Sequence, residues 1–428
     1  MRKKDIRAAI DIGTSKVCTL VGSINDIGQV EILGMGSVPS RGMKKGIISS
    51  VSEVMQVTKE SIHEAERQSG VKISSAYIGL TGNHIRSVNA RAVLENRRYD
   101  MPIGSREIDR ILDACSNYGD YGESKTVHVI PRDYALDGFW GVVDPVGMFS
   151  SKVEVESHVI QGGFAPIDNL VKAVGKAKVK VNGMVLETLA SAECVLAKDE
   201  KDMGIVLVDI GGGTTDICVF LDGSVWHTGV LPVGGFNFTR DLSVLFNTSM
   251  DAAEEVKLSF GDLSMNEIAA EELIEITALG RDRMQKVSRV AICDMLKQRM
   301  QELLGMIAAD IKEAGMEKLP PGGLVLTGGS SKFSGLEDMA RNAFGSPVRI
   351  GVPTNILPTL ANMKDPSMST VVGLLAMSLG KVRDFQWKPK GASFDYLNVG
   401  QQILRNVKMS FNGMNKRVQQ QLRRYDHG

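Results

Sequence analysis

The chain has 428 residues, in which 50 lysines and arginines balance 50 aspartates and glutamates. This length allows two or three domains and a core that needs no disulfide or metal ion for stability. A net charge of zero excludes an overall basic surface that binds nucleic acid, so we expect no nucleic-acid partner. Hydrophobic residues make up 43% of the chain, which is typical of a globular protein rather than a disordered one.

The N-terminus and the cysteines indicate a cytosolic protein. The first residues, MRKKD, run into a strand-like segment without an apolar signal core, so we predict no secretion signal. No apolar stretch approaches the ~18 to 20 residues of a membrane span. The cysteines are Cys18, Cys115, Cys194, Cys218 and Cys293. Their odd number and wide spacing disfavour a disulfide framework or a zinc ribbon and favour a reducing compartment.

Residues 6–22 read as two short apolar strands joined by a turn of small residues. The acid before the turn and the residues that form it are Asp11, Gly13, Thr14, Ser15 and Lys16. Small residues let backbone N–H groups converge on an anion, and a lysine beside them adds a positive charge for a phosphate. Taken alone, this segment fits an ordinary turn with a solvated lysine better than a phosphate site.

A second copy of this pattern lies in residues 204–222, where an apolar strand again ends in Asp-Ile-Gly. Its acid and its turn are Asp209, Gly211, Gly212, Gly213, Thr214 and Thr215. The aspartates of the two copies are 198 positions apart. Two copies of one turn predict two similar halves that close on one nucleotide from opposite sides. Each aspartate, at the end of its strand, would then face a metal ion or an attacking water.

A third glycine-rich turn follows an apolar strand at 324–326. It contains Thr327, Gly328, Gly329 and Ser330, and a helix is predicted to follow it. Paired glycines let the backbone approach a base or ribose closely, and a helix N-terminus favours negative charge. A single Gly-Gly pair is a weak signal, but its position after two phosphate-type turns makes a nucleotide site the better interpretation.

These three turns resemble the two phosphate motifs and the adenosine motif of the actin-like ATPase superfamily. Three further stretches, VPSRGMKKG at 38–46, VHVIP at 127–131 and DPVGM at 144–148, together with Tyr134, resemble the FtsA family, the cell-division branch of that superfamily. The resemblance runs from about residue 7 to about residue 379. It implies an α/β, actin-like fold, in which two ribonuclease-H-like domains surround a nucleotide cleft and an FtsA-type α+β subdomain is inserted in the first domain. It also implies ATP and Mg²⁺ as ligands.

The domain order that follows from this resemblance returns to the first domain twice. The predicted parts are 1–83, first domain; 84–161, family-specific subdomain; 162–190, first domain continued; 191–226, second domain; 227–301, helix-rich insert of the second domain; 302–357, second domain continued; 358–382, return to the first domain; 383–410, linker; and 411–425, amphipathic helix.

Two further sets of residues are candidates because of the resemblance. Glu254 and Lys257 are three positions apart and share a helix face, where the family's matching pair reaches ribose and base. The alternative is a solvated salt bridge. Glu187 resembles the glutamate that positions the hydrolytic water in the bacterial rod-shape actin homologue, but a helix-capping role is an equal alternative.

The metal-facing candidates are Asp11 and Asp209, acting through water, and Asp209 joins Glu187 as a candidate catalytic residue. Either Thr215 or Asp216 could hold a metal-bound water, and the sequence does not decide between them.

The C-terminal segment predicts an amphipathic helix that lies on an anionic membrane surface. Its apolar stripe and its basic flanks are Phe411, Met414, Val418, Leu422 and Tyr425, and Lys408, Lys416, Arg417, Arg423 and Arg424. The stripe is narrow and Gly413 interrupts the helix, so a single copy should bind weakly. The alternative is a solvated or disordered tail.

The resemblance implies a cell-division protein on the cytoplasmic face of the membrane at the division site. It would polymerise head to tail, tether the FtsZ ring, recruit later division proteins through 84–161 and hydrolyse ATP slowly at most. The C-terminal peptide of FtsZ would bind in 227–301, near four basic residues: Arg281, Arg283, Lys286 and Arg289. The alternatives are a PilM-like type IV pilus scaffold and, with less support because no acid motif faces a substrate hydroxyl, a sugar or acetate kinase.

Overall fold

The computed structural model of the chain describes residues 5–380, except for 26–27, 97–99, 119–122, 267, 281–282, 355 and 358–362. The predicted linker and amphipathic helix, and with them every candidate membrane residue, lie outside the described residues. Within the described part, no helix is both long enough and apolar enough to cross a membrane.

The chain begins with an antiparallel meander and a long helix that packs on it. The elements are β1 (Arg7–Ile12), β2 (Lys16–Ile24), β3 (Val30–Pro39), β4 (Met43–Lys44), β5 (Ile47–Ile48), α1 (Val51–Ser69) and β6 (Ser75–Leu80). Helix α1 starts where the Ser50 side chain accepts from the Glu53 N–H, and it ends at Gly70, whose φ of 67° suits glycine. Its buried apolar positions, Val54, Val57, Ile62 and Ala65, lie on the face toward the sheet.

The next segment forms a small α+β layer of its own. Its elements are β7 (Ile85–Glu95), α2 (Ser105–Ser116), β8 (Ser124–Leu136), β9 (Phe139–Val142) and β10 (Lys152–Gly163). The strands form an antiparallel sheet in the order β7-β10-β8-β9, and α2 packs on it. A separate core fills the space between them, with Ile103, Ile111, Cys115 and Val155 each buried to 1% exposure or less.

The chain then returns to the first sheet, crosses to a second one and finally comes back. The remaining elements are α3 (Phe164–Lys176), β11 (Lys180–Leu186), α4 (Glu187–Val195), α5 (Lys198–Met203), β12 (Ile205–Ile210), β13 (Thr215–Leu221), β14 (Ser224–Leu231), α6 (Gly235–Leu245), α7 (Met250–Phe260), β15 (Leu273–Thr277), β16 (Met284–Ser288), α8 (Arg289–Glu313), β17 (Leu324–Thr327), α9 (Leu336–Phe344), β18 (Val348–Ile350), β19 (Ile356–Leu357) and α10 (Ser369–Leu379). The segment predicted as helix-rich therefore also contains the β15–β16 hairpin, and α8 runs through the predicted boundary at 301/302.

Two equivalent sheets make up the two halves of the molecule. The first has the order β11-β6-β1-β2-β3-β19, and the second has the order β18-β17-β12-β13-β14 when it is read from its β18 edge. In each sheet, the first strand of an antiparallel hairpin (β1–β2 or β12–β13) also pairs in parallel with a later strand of the same half. That strand is β6 in the first sheet and β17 in the second. The predicted actin-like fold class is confirmed, with two similar domains and an inserted α+β layer.

Helices α4 and α10 cross between the two halves. A Cβ on Gly373 of α10 would collide with the backbone carbonyl of Ala190 on α4, so the two helix backbones approach each other as closely as a glycine allows. Both helices pack into the core of the first half, yet both also reach the end of β12. The nucleotide-type turns lie at this crossing.

The inserted layer also contacts the second half through polar groups. His158 is buried between Asn89 Oδ1, 2.7 Å from its Nδ1, and Thr228 Oγ1, 2.9 Å from its Nε2. Burial lowers the pKa of His158 to about 3, so the ring is neutral at physiological pH. Nearby, the guanidinium of Arg132 lies 3.7 Å from the ring centroid of Trp226.

Candidate nucleotide site

The two predicted phosphate turns have the same local geometry. Gly13 N donates to Lys16 O at 3.0 Å, and Gly211 N donates to Thr214 O at 2.9 Å. Each turn is the tip of an antiparallel hairpin with the same register. Asp11 pairs with Cys18 in the first hairpin, and Asp209 pairs with Asp216 in the second.

The tips of the two turns touch each other. A Cβ on Gly212 would overlap Ser15 Oγ, and a Cβ on Gly213 would overlap Thr14 Oγ1. Hydroxyls of the first half therefore meet glycines of the second half. Any side chain at either glycine would push the turns apart, which explains why the second turn carries three glycines in a row.

Four carboxylates converge behind these tips. Asp11, Asp209 and Asp216 are exposed by 8%, 7% and 2%, and Glu187 begins α4 beside them. Burial raises the pKa of Asp11 to about 6 and of Asp216 to about 7, and it also raises that of Asp209. Burial and the three neighbouring aspartates raise the pKa of Glu187 well above its usual value. Such a cluster stabilises a bound cation or holds protons in its absence.

Hydroxyl groups from distant parts of the chain fix two of these acids. Ser191 on α4 donates to Asp209 Oδ2 at 2.6 Å, and Thr370 on α10 donates to the same oxygen at 3.2 Å. Thr81, which follows β6, donates to Asp216 Oδ1. Sequence reasoning missed all three hydroxyl residues, since none stands in a recognisable motif.

The structure distinguishes the two residues left open after the second turn. Thr215 is fully buried, and its hydroxyl donates at 2.8 Å to Val233 O, in the loop after β14. Asp216 lies on the opposite face of β13 and raises the pKa of Glu187 through charge repulsion, so its carboxylate belongs to the acidic cluster. The strand register alone separates them, because neighbouring residues of a strand face opposite sides.

Glu187 begins α4, and its carboxylate lies beside the acids of both turns. Its side chain covers Gly79, where an added Cβ would lie 3.1 Å from Oε1. The residue at the N-cap of α4 is Leu186, and no side chain caps this helix end, so Glu187 does not act as a helix cap. Within the described residues, no hydrogen bond to its carboxylate is found.

The cation of the first turn is directed toward the beginning of α10. Lys16 Nζ donates to Ser367 Oγ at 3.0 Å and lies 3.4 Å from Met368 Sδ. Lys16 also lowers the pKa of Asp11, opposing the effect of burial. The lysine is therefore held at the edge of the acidic cluster by groups that the sequence places 351 positions away.

The predicted adenosine turn lies against the second phosphate turn. Ser330 Oγ donates to Gly211 O at 3.1 Å, and Gly328 has a φ of 87°, with no room for a Cβ beside Asp209. The helix predicted to follow this turn is present. A single 3-10 turn spans Gly329–Lys332, and α9 begins at Leu336.

Glu254 and Lys257 form the predicted pair on α7. Lys257 Nζ lies 2.7 Å from Glu254 Oε2 and donates to Thr239 Oγ1 at 2.9 Å and to Gly235 O at 3.2 Å. Lys257 is only 7% exposed, so the alternative prediction of a solvated salt bridge is wrong for the lysine. A Cβ on Gly235 would lie close to both Lys257 Nζ and Ser330 Oγ, which brings the pair next to the adenosine turn.

Direct metal ligation by three protein groups is not seen. Across the residues that the structure describes, no group of three or more His, Cys, Asp or Glu side chains is arranged to hold a metal ion. The glycine tips, the buried acids and the adenosine turn do fit a nucleotide whose own phosphates supply oxygen ligands to a cation.

Two family models match the chain. The model described as "Cell division protein FtsA" matches residues 206–373, and the model described as "SHS2 domain inserted in FTSA" matches residues 82–161. The curated protein "Cell division protein FtsA" of Pseudomonas aeruginosa is 37% identical over 375 residues, which are 88% of this chain and 89% of that protein. The chain belongs to the FtsA family of cell division proteins.

Other FtsA proteins give the same result. Those of Bacillus subtilis and Escherichia coli K12 are each 32% identical, over 383 and 373 residues respectively. These alignments cover 90% and 86% of this chain, and 86% and 88% of the two relatives.

Solved structures confirm the fold alone. A chain of the "PilM-PilN type IV pilus biogenesis complex" is 16% identical with a TM-score of 0.63, covering 87% of this chain and 98% of that one. MreB5 of Spiroplasma citri bound to ADP is 13% identical with a TM-score of 0.51, covering 87% and 95%. The pilus-assembly alternative therefore has less support than a role in cell division, since its likeness lies in the fold and not in the sequence.

Proposed function

We propose that this FtsA-family protein binds ATP with Mg²⁺ between its two halves. The observation that carries the proposal is the contact between Ser15 and Gly212 and between Thr14 and Gly213. Because the second tip consists of glycines, no side chain of its own shields its backbone N–H groups from phosphate oxygens. The adenosine turn at Gly328–Ser330 and the buried Lys257 lie next to the second turn, where ribose and base would bind.

We propose that Asp11 and Asp209 hold the magnesium ion through water. A bound divalent cation would offset the negative charge of the acidic cluster and of the phosphates, which are the oxygen ligands that Mg²⁺ prefers. Asp209 keeps a fixed orientation through Ser191 and Thr370, which contact its Oδ2, so its second oxygen, Oδ1, lies against Gly328 of the adenosine turn.

Glu187 is proposed to orient the water that attacks the terminal phosphate. Its carboxylate adjoins the acids of both turns, Asp11, Asp209 and Asp216. Positioning a water without strong activation supports slow hydrolysis at most. Nucleotide state would then act mainly on assembly of the protein rather than on product formation.

The protein is proposed to polymerise head to tail and to tether the FtsZ ring to the inner face of the membrane at the division site, with the inserted layer at 84–161 recruiting later division proteins. The predicted C-terminal helix would be the membrane anchor. Its basic residues contribute about 1 kcal/mol each near an anionic surface, and a polymer multiplies weak tails by avidity.

Sedimentation with anionic liposomes in ATP and Mg²⁺ tests this anchor. Truncation after Lys390 and the pair Val418→Glu with Leu422→Glu should each abolish sedimentation and leave ATP binding intact. The matched control, Gln419→Glu with Gln420→Glu, adds the same charge to the polar side of the predicted helix and should sediment almost as the wild type does. Sedimentation of the truncated protein would mean that the tail is not the anchor.

The peptide site is proposed for the helix-rich part of the second half. Arg283 and Lys286 lie on the exposed β15–β16 hairpin, where Lys286 is 3.8 Å from Glu275. Arg289 is paired more closely, with Glu272 at 2.9 Å, and Arg281 lies outside the described residues. A groove of about 630 Å³ also runs between α8 and α9. Its lining includes Leu263, Lys297, Leu304, Met339 and Phe344. Apolar walls with a lysine suit an acidic and apolar peptide.

Charge reversal distinguishes the hairpin from the groove. A labelled C-terminal peptide of FtsZ is titrated by anisotropy against Arg283→Glu with Lys286→Glu, and separately against Lys297→Glu. We expect at least one of them to weaken binding, and the control Lys312→Glu, on the exposed far end of α8, to leave it unchanged. Curves for both variants that overlay the wild type would exclude this part of the surface.

A further inference from the structure

The stretch SRGMKKG forms a hairpin that no nucleotide motif accounts for. Strands β4 and β5 pair Met43 with Ile48 and Lys44 with Ile47, so Lys45 and Gly46 form a two-residue turn. Their φ angles are 51° and 73°, as in a type I′ turn. Asparagine, aspartate or glycine suits the first of these positions, and a lysine there costs about 1 kcal/mol or more. A strained lysine in this place suggests a function for its side chain.

This hairpin touches both phosphate turns. Just before it, Ser40 N donates to Ser15 O of the first turn at 3.0 Å. At its tip, a Cβ on Gly213 of the second turn would lie 3.1 Å from Lys45 Cα. The hairpin, part of the first half, therefore bridges to the second half at the point where the two tips meet.

The tip of the β4–β5 hairpin lies near the acidic cluster. A Cβ on Gly46 would lie 2.8 Å from Gly82 Cα, so the two backbones are in close contact. Gly82 follows Thr81, which donates to Asp216. Two glycines in left-handed or extended positive-φ conformations, 73° and 127°, make this close approach possible.

Lys45 lies at the end of the second turn that is farther from the adenosine turn. The adenosine side bonds to the first glycine of that turn, through Ser330 Oγ and Gly211 O. Lys45 is beside the third glycine, Gly213, at the opposite end. A nucleotide with its base at the adenosine turn would therefore have its last phosphate toward Lys45.

The side chain of Lys45 is available for a ligand. It is exposed, and within the described residues it has neither a hydrogen bond nor an ion pair. Lys16, the other lysine at the turns, is already held by Ser367 and Met368. Lys44 is also exposed, but it lies on the strand before the tip.

We propose that Lys45 is a third phosphate ligand, which binds the terminal phosphate of a nucleoside triphosphate and so distinguishes ATP from ADP. This inference rests on the proposed nucleotide site. Because the hairpin bridges the two halves, an ammonium that binds the terminal phosphate also ties the first half to the second turn. Loss of that phosphate would remove the tie.

Equilibrium titrations of ATP and of ADP, both with Mg²⁺, test the inference. Lys45→Asn removes the charge but keeps a residue that tolerates the turn. It should weaken ATP binding by at least about tenfold, as expected for a lost charge-assisted hydrogen bond, and ADP binding by less than about twofold. Lys45→Arg should retain most of the preference. Lys44→Asn, with the same change in net charge, should alter neither affinity.

Amine acetylation followed by mass spectrometry gives an independent readout. In the wild type, ATP should protect Lys45 from acetylation and ADP should not, whereas Lys44 should react equally in both. An equal loss of ATP and ADP affinity in Lys45→Asn, or no loss, overturns the role of Lys45 while ATP binding by the wild type still supports the site. A wild type that binds neither nucleotide overturns the proposed site, and this inference with it.

Discussion

The two phosphate turns share one backbone and differ in almost every side chain. At equivalent positions, the first turn has Thr14, Ser15 and Lys16, and the second has Gly212, Gly213 and Thr214. Both begin with a buried aspartate at the end of a strand. The first turn thus supplies hydroxyls and a cation, and the second supplies backbone groups that no side chain of its glycines covers.

The strand behind each turn differs as well. Cys18 stands in the first hairpin where Asp216 stands in the second, and burial raises the pKa of that thiol to about 12, so it stays neutral. Hydroxyl groups fix Asp209 and Asp216, whereas within the described residues no side chain donates a hydrogen bond to Asp11. The comparison shows that the two equivalent halves contribute different chemical groups to the site. The second carries acids that hydroxyl groups orient, and the first carries hydroxyls and a lysine in its turn.

The largest effect is expected at Glu187, which faces the acids of both turns. Glu187→Ala should retain ATP binding and lose most turnover, because a positioned base contributes about 100-fold or more. Phosphate release under saturating ATP measures this. The control is Glu193→Ala on the same helix, where the glutamate is exposed and 3.6 Å from Lys201. Equal phosphate release by the wild type and Glu187→Ala would leave Glu187 with a structural role.

A smaller effect is expected at the contact between the tips. Gly212→Asp should lower ATP affinity by at least about tenfold, or ~1.4 kcal/mol, because it puts a carboxylate beside the phosphates and against Ser15. The comparison can be sharpened with Gly212→Ala, which should destabilise the protein, and with Ser15→Gly added to it, which should restore part of the loss. Unchanged ATP affinity in folded Gly212→Asp would mean that phosphate binds elsewhere.

The smallest effect concerns pH, and it depends on the acids of the second turn. The pKa of Asp216 in the folded protein is about 7, above the 3.8 of an unperturbed aspartate. Between these values the folded state binds the additional proton, so the free energy of unfolding falls as the pH rises toward 7. Asp216→Asn removes this titration.

Melting curves without nucleotide, recorded between pH 5 and 8, measure the effect. Asp216→Asn should reduce the fall in Tm across this range by a few degrees. The exposed control Asp294→Asn on α8 should follow the wild type. A fall in Tm that is the same in all three proteins would assign the pH dependence to other groups.

Much of this site could be predicted from the sequence because its chemistry lies in local patterns. Asp11, Gly13 and the Asp209–Thr214 stretch stand in a repeated turn, and a repeat with one offset predicts two equivalent hairpins. The same offset aligns Asp216 with Cys18, so the sequence also contained a signal that the acid at 216 is specific to the second hairpin. The actin-like fold followed from these repeats and from the family resemblance.

The remaining groups could not be found in this way. Thr81, Ser191 and Thr370 contact acids that lie 135, 18 and 161 positions away along the chain. Buried threonines and serines are common in any core, so no local pattern marks these three. Only the crossing of α4 and α10 and the end of β6 bring their hydroxyls to the acids. The interval between Ser330 and α9 also has a tertiary cause, since the chain there bends toward Asp262 and Ser264 before α9 starts.

The return of the chain to the first half has a consequence for synthesis on the ribosome. Helix α10 fills the first core with Val371, Val372, Leu374 and Leu375, all 0% exposed, and Leu375 packs against Gly22. At 5–20 residues per second, roughly 20 to 70 s separate the synthesis of these two contacting residues. During that time the first sheet lacks its last helix and its β19 edge, while the inserted layer, continuous in sequence, can already close. Helix α10, made late in synthesis, thus completes a core whose first strands are made at the start. Until then, a nascent molecule exposes apolar surface of the first sheet that chaperones would recognise.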